Sequence, residues 1–391
     1  MDPTAHLNIF IDNRTGFEWR PAGRDRYRLT SGPWKAGAWE HDVAIVRPGR
    51  VADEETAILY ITGGDVNALD LAEAQAIADR AGLAVAMLFH IPNQPIFDLW
   101  EDDLIAHTFE QFLDTGDAAW PLLYPMARAA IRAMDMLEES GFRRFVVIGA
   151  SKRGWTTWLA AATGDPRIAG IAPMVIDNLD FPAQMAHQVE SWGGYSEQIE
   201  DYTSRDLQDS MGTELGADLT VMMDPVHYID RIRCPILIVN GANDRYWTVD
   251  ALSLYWGRLP VSTRCLIVPN AGHLLGDKRQ MIETVGAFAA ASARGELLPE
   301  VRAEVVTTED RIEAYAVQAA GHFGLWAAYS DSLDFRDSEW RFSEVPVAGM
   351  DVPKGQNVAV MVEVRFGGAT GAFSLSTPIR VFKACVFAAK N

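Results

Sequence analysis

Residues 146–162, "VVIGASKRGWTTWLAAA", carry a β-branched run that stops at Gly149 and a helix-forming run that starts directly after Ser151. That order, strand then sharp turn then helix with a serine at the turn, is the arrangement of an α/β-hydrolase nucleophile elbow. A small residue is needed where the backbone bends so tightly, and Gly149 supplies it. The usual five-residue pattern would put a second glycine at position 153, but Arg153 stands there and Gly154 follows one place later. A serine before a helix also serves as an ordinary N-cap, so the partners of Ser151 decide between the two readings.

Outward from the elbow, aliphatic runs alternate with helical patterns between residues 42 and 290: "DVAIVRP", "TAILYITGG", "LAVAMLF", "RFVVIGAS", "IAGIAPMVID", "CPILIVNGAND" and "TRCLIVPNAGH". Continuous Val/Ile/Leu runs spaced by helices predict a doubly wound, mostly parallel sheet covered on both faces. Helices are expected over 68–81, before Gly82, and over 121–139, with Pro121 in the first turn and Gly141 past the end. Residues 178–230, rich in Gln, Glu, Asp and Met, fall between two sheet strands and read as a helical lid insertion. After 297 the pattern turns to alternation ("RAEVVTT", "RIEAYAVQ", "FGLWAAYS", "NVAVMVEVRF", "FSLSTPIRVF"), the signature of a small antiparallel β-sandwich. The expected division is an N-terminal extension (1–40) packed on the core without a fold of its own, an α/β-hydrolase domain (41–297), and a C-terminal sandwich (298–391).

A formal charge of −19 argues against nucleic acid or an anionic membrane as partner, and leaves a small-molecule, sugar-ester or peptide substrate. No apolar run reaches the length of a membrane span. Three cysteines, Cys234, Cys265 and Cys385, imply no disulfide framework. "MDPTAHLNIFIDNRTG" has neither the basic flank nor the apolar stretch of a signal peptide, so the chain as written reads as cytoplasmic, with a periplasmic or secreted location as the alternative if a leader was removed. No phosphate-cradling glycine loop and no metal-ligand spacing is seen, so neither cofactor nor metal is expected. Nothing in the sequence speaks to oligomeric state.

The acid and base of a hydrolase should follow the serine in that order, each just beyond a later sheet strand. Asp244 closes "CPILIVNGAND" and His273 closes "TRCLIVPNAGH". Asp177, ending "IAPMVID", is the alternative acid. The expected oxyanion donors are the backbone N–H of Lys152 and an N–H of Gly64 or Asp65 in "YITGGDVN", a stretch that reads equally as a plain tight turn. Arg153, His90, Asn93, Trp192, Tyr246 and Trp247 are candidate substrate contacts, the first as a cation at the entrance and the aromatics as pocket walls.

"FVVIGASKRGWTTWLAAATGDPRIAGIAPMVIDNLD", together with "LFHIPNQPIF", "EDDLIAHTFEQFLDTGDAAWPLLYPMARAAIRAMD", "SWGGYSEQIEDY" and "VPNAGH", resembles the PhoPQ-activated pathogenicity-related protein family. The resemblance runs from about residue 39 into the β-rich tail. It implies an α/β-hydrolase with a C-terminal β domain, a displaced glycine at 154 as part of the motif, and Ser151, Asp244 and His273 at the triad positions. Many relatives are exported, which keeps the periplasmic alternative open. The elbow's serine followed by basic residues is also similar to that of glucuronoyl esterases, which implies an ester whose acyl part carries a carboxylate or sugar. The leading expectation is a serine hydrolase of the carboxylesterase type; the alternatives are a serine peptidase on short peptides and a non-catalytic binding or signalling protein on a hydrolase scaffold.

Overall fold

The computed structural model describes residues 2–384 apart from 36, 309–310, 319–320, 345–348 and 368–370, so Cys385 lies outside the described residues. The first strands are β1 (Glu18–Gly23), β2 (Arg26–Trp34), β3 (Gly37–Val46), β4 (Thr56–Ile61), β5 (Ala84–Leu88), β6 (Arg144–Ala150), β7 (Ile168–Met174), β8 (Leu237–Gly241) and β9 (Arg264–Val268). They lie side by side in the order β1-β2-β3-β5-β4-β6-β7-β8-β9. From β5 to β9 every pairing is parallel. This is the α/β-hydrolase fold.

Every residue of β4, β5, β8 and β9 is buried. Helices Leu123–Glu139 and Lys152–Ala162 cover one face and helices Ala68–Ala81 and Arg279–Ala293 the other, which is why these strands read as unbroken aliphatic runs. Helix Ala68–Ala81 matches its predicted span. Asn67 caps its start by accepting from the Asp70 N–H, and Gly82 closes it in the left-handed region, φ 68°. The insertion after β7 is helical, with segments Phe181–Trp192, Glu200–Thr203, Leu207–Ser210 and Glu214–Met223. Buried Asp224 clasps its two ends, its carboxylate accepting the N–H groups of Asp180, Phe181 and Val226.

The C-terminal strands are β10 (Arg302–Thr307), β11 (Arg311–Gln318), β12 (His322–Ser330), β13 (Arg341–Glu344), β14 (Gly349–Asp351), β15 (Asn357–Phe366), β16 (Phe373–Ser376) and β17 (Arg380–Phe382). They make two antiparallel layers. One is β10-β11-β14; the other, β16-β15-β12-β13, continues the hydrolase sheet, because Ser376 of β16 pairs with Cys265 of β9. The sandwich thus shares one of its layers with the hydrolase domain. The stretch "FSLSTPIRVF" divides into β16 and β17 around Pro378, which has no N–H to give a ladder.

The N-terminal residues pack on the core through Leu7, Ile11, Leu29 and Trp34, and carry more regular structure than their weak periodicity announces. They form helix Ala5–Asp12 and the antiparallel strands β1 and β2, which extend the sheet beyond β3. Alternation was hidden because β2 contains Gly32 at φ 120° and its register shifts between Thr30 and Gly32.

Candidate active site

Because β6, β8 and β9 run parallel, their C-terminal ends share one edge, and the loops leaving that edge carry Ser151, Asp244 and His273. At the elbow the helix is driven hard against the strand. A side chain at Gly149 would sit 2.5 Å from the Arg153 carbonyl oxygen, and one at Gly154 2.6 Å from Ile176 Cγ2 and 3.0 Å from the Gly149 and Met174 carbonyl oxygens. The displaced glycine is therefore demanded by packing between the helix and β7. Ser151 itself takes φ 57°, ψ −130°, a conformation L residues seldom adopt and one that costs about 1–3 kcal/mol. It caps nothing with its side chain. Its N–H donates to the Met174 carbonyl at 2.8 Å, fastening the turn to the neighbouring strand.

The Asp244 carboxylate is almost fully buried, accepts the Tyr246 N–H at 3.0 Å, and its other oxygen lies 2.8 Å from His273 Nδ1. That contact makes Nδ1 the donor and leaves Nε2 as the acceptor. The Tyr246 ring lies over the imidazole, centroids 4.3 Å apart. Ser151, His273, Tyr246 and Trp247 all border one cavity of about 140 Å³, whose wall also takes in Asp102, Phe109, Lys152, Trp155, Ile176 and residues of the helical insertion. Asp177, the alternative acid, is buried behind Asp244, where the Tyr255 hydroxyl donates to it at 2.5 Å. Burial, with the negative charges of Asp244 and Asp250 nearby, pushes its carboxyl up to about 7. It makes no contact with His273.

The two basic residues after Ser151 are neither solvated nor free for an anion. The Lys152 ammonium is buried between Glu101 (2.7 Å) and Asp102 (3.2 Å). Arg153, expected among the substrate contacts, grips Glu101 bidentately (2.8 and 2.7 Å) and donates to the Ile91 carbonyl. Its guanidinium lies where a Gly63 side chain would be, which ties the 62–65 loop to the elbow and explains that glycine. Glu101, partly desolvated but flanked by these cations, is held down to about 2. Two carboxylates thus neutralise two cations. The acidic run "EDD" (101–103) was the available sequence signal for these partners, but only the fold brings it to the elbow.

Three other candidates stand away from the cavity wall. His90 contacts Asp42 (3.2 Å) and takes an N–H to Gly64 carbonyl bond. Asn93 spans the Glu40 backbone, accepting its N–H and donating to its carbonyl. Trp192 carries the Arg336 guanidinium on its face at 4.2 Å. Gly64 and the largely exposed Asp65 sit on the loop that Arg153 holds.

The sequence gives no hint of a further contact set. Asn243, beside Asp244, donates to the Phe335, Arg336 and Ser338 carbonyls. Asn270, three residues before His273, exchanges two hydrogen bonds with the Trp340 backbone, at 2.9 and 2.8 Å. The segment 335–340 from the C-terminal region thereby pins both loops.

Among the described residues no group of His, Cys, Asp and Glu is arranged to hold a metal ion. No helix among them is long and apolar enough to cross a membrane.

The fold is that of the α/β-hydrolases, with a serine at a strand-to-helix turn and a histidine–aspartate pair at the same sheet edge. Within that class, the chain belongs to the PhoPQ-activated pathogenicity-related protein family, whose model matches residues 6–336. A curated relative is autocrine proliferation repressor protein A of Dictyostelium discoideum, 30% identical over 342 residues, covering 79% of this chain and 69% of that protein. Among solved structures, acetyl xylan esterase 1 from Thermoanaerobacterium sp. JW/SL YS485 superposes with a TM-score of 0.51 at 14% identity, over 70% of this chain and 88% of that one. It shares the fold.

Proposed function

We propose that the protein is a serine hydrolase that cleaves esters through an acyl-enzyme. Ser151 Oγ attacks the ester carbonyl while His273 Nε2 takes its proton, and Asp244 holds the imidazole in that tautomer and stabilises the imidazolium. The tetrahedral oxyanion is met by the Lys152 N–H, free of an intrahelical acceptor in the first helical turn, and by an N–H of Gly64 or Asp65. The C–O bond to the leaving alcohol breaks as that oxygen takes the proton from His273. Water then attacks the acyl-Ser151 carbonyl, gives its proton to His273, and releases the carboxylic acid with the serine hydroxyl restored. The helical insertion acts as the lid that keeps the acyl-enzyme from bulk water.

The observation that carries this reading is the 2.8 Å His273–Asp244 contact on the cavity that a backbone-strained Ser151 also borders. The test is intact-mass labelling with a fluorophosphonate. The wild type should take up one probe at Ser151, Ser151→Ala none, and His273→Ala far less at equal times; equal labelling of all three would end the proposal.

A second reading has one observation behind it. The Dictyostelium relative is named for repressing proliferation, which suits a signalling role on a hydrolase scaffold. Under that reading Ser151→Ala would retain full biological activity.

A further inference from the structure

We propose that the cavity beside Ser151 receives an uncharged, apolar group of the ester, an alkyl chain of roughly six carbons or a single aromatic ring, and excludes carboxylate-bearing sugars. The inference rests on the hydrolase reading above and adds the substrate class to it.

The wall is aliphatic and aromatic: Phe109, Trp155, Phe181, Leu207 and Leu219 contribute from five different helices and Ile176 from the loop after β7. Its charged side chains and several of its hydroxyls are already paired within the protein. Lys152 is neutralised by Glu101 and Asp102, and Asp102 also accepts from the Tyr202 hydroxyl at 3.0 Å. The Ser210 and Thr220 hydroxyls donate to the Leu207 and Gly216 carbonyls. An anionic substrate group would find no unpaired cation among the described residues of the wall, so its desolvation would go uncompensated. The volume, about 140 Å³, is close to that of an apolar cavity that stays dry and admits benzene.

Four lining residues limit this apolarity, each with a buried polar atom that has no partner in the protein: the acceptors Asn178 Oδ1, Gln184 Oε1 and Gln208 Oε1 and the donor Trp247 Nε1. Gln184 is 1% exposed and borders the cavity, and its amide nitrogen is committed to the Leu179 and Ala251 carbonyls. That fixes the side-chain orientation and leaves Gln184 Oε1 buried without a partner in the protein. An amide oxygen only accepts, so it offers a carboxylate no donor.

The experiment is a set of kcat/KM values on purified full-length protein. The acyl arm uses p-nitrophenyl acetate, butyrate and hexanoate, with the mono-p-nitrophenyl ester of adipic acid as the charged analogue of hexanoate. The alkoxy arm compares ethyl with hexyl acetate. We expect a gain of about fourfold per methylene, so roughly 250-fold over the four methylenes from acetate to hexanoate, with the adipate monoester at or below acetate. A rise confined to the alkoxy arm would place the same apolar group on the alcohol side. Met185→Trp, which fills the cavity from the insertion, should lower the hexanoate-to-acetate ratio about tenfold. Leu219→Ala, which enlarges it, should move the optimum to longer chains. Flat profiles in both arms, or an adipate monoester faster than hexanoate, would overturn the inference while acylation of Ser151 kept the hydrolase reading intact. Failure of every ester to acylate Ser151 in folded protein would instead remove the hydrolase reading and the inference with it.

Discussion

The two halves of the site are held by different means. Ser151 is placed by its own neighbours in the chain: Gly149 and Gly154 let the helix close on β6 and β7, and the Ser151 N–H is tied to Met174. Asp244 and His273 sit on loops held from far away, through Asn243 and Asn270 onto residues 335–340, while Gln188 and Ser196 of the insertion hold the Tyr246 and Arg245 carbonyls. A nucleophile encoded locally can be recognised from a few residues. An acid and a base encoded at long range depend on the whole chain being folded, so damage to the C-terminal layer should reach catalysis without touching the elbow.

The sharpest break between the halves comes from the reacting groups themselves. Ser151→Ala and His273→Ala should each lower ester kcat by a factor on the order of 10⁴ or more in steady-state assays. Asp244→Asn should cost roughly 10⁴ through the wrong imidazole tautomer, whereas Asp177→Asn should cost less than about tenfold. Equal losses from the two aspartates would mean that the acid has been assigned wrongly. On the remote side, Asn270→Ala frees the Trp340 backbone and lets the His273 loop drift. We expect kcat to fall about 10–100-fold with KM little changed, since a displacement of about 1 Å has that consequence. On the local side, Gly154→Ala forces a methyl against Ile176 and two carbonyls, and should destabilise the protein by about 1–3 kcal/mol in chemical denaturation.

The smallest effect concerns pH. Asp177 has its carboxyl raised in the fold from the ordinary 3.8 to about 7, so the folded state binds this proton more tightly than the unfolded chain. Stability from this group is therefore complete below pH 3.8 and declines as pH rises through about 7. Asp177→Asn should flatten that decline in a series of denaturation curves. Asp224, raised to about 7 by burial against its three N–H donors, keeps a slope of its own.

The same division explains what the sequence made legible. The strands at 144–150, 237–241 and 264–268, the helix at 68–81 and the three residues Ser151, Asp244 and His273 all announce themselves through local pattern and chain order. Tyr246 and Trp247 line the cavity, being close neighbours of Asp244 in the chain. What stayed hidden depends on partners distant in the chain. Arg153 looked like an entrance cation until Glu101, about fifty residues earlier, was brought beneath it. Asn93 and Trp192 were read by type as cleft residues, yet Glu40 and Arg336 claim them. The roles of Asn243 and Asn270 have no local signature, because an asparagine in a loop signals only a turn until the opposing backbone is known.

The most direct test of the account is rapid-quench mass spectrometry with p-nitrophenyl hexanoate. One hexanoyl group is expected on Ser151 within the first turnover of the wild type, none in Ser151→Ala, and slow accumulation in His273→Ala. Hydrolysis without any acylated Ser151, or undiminished turnover in Ser151→Ala, would contradict it.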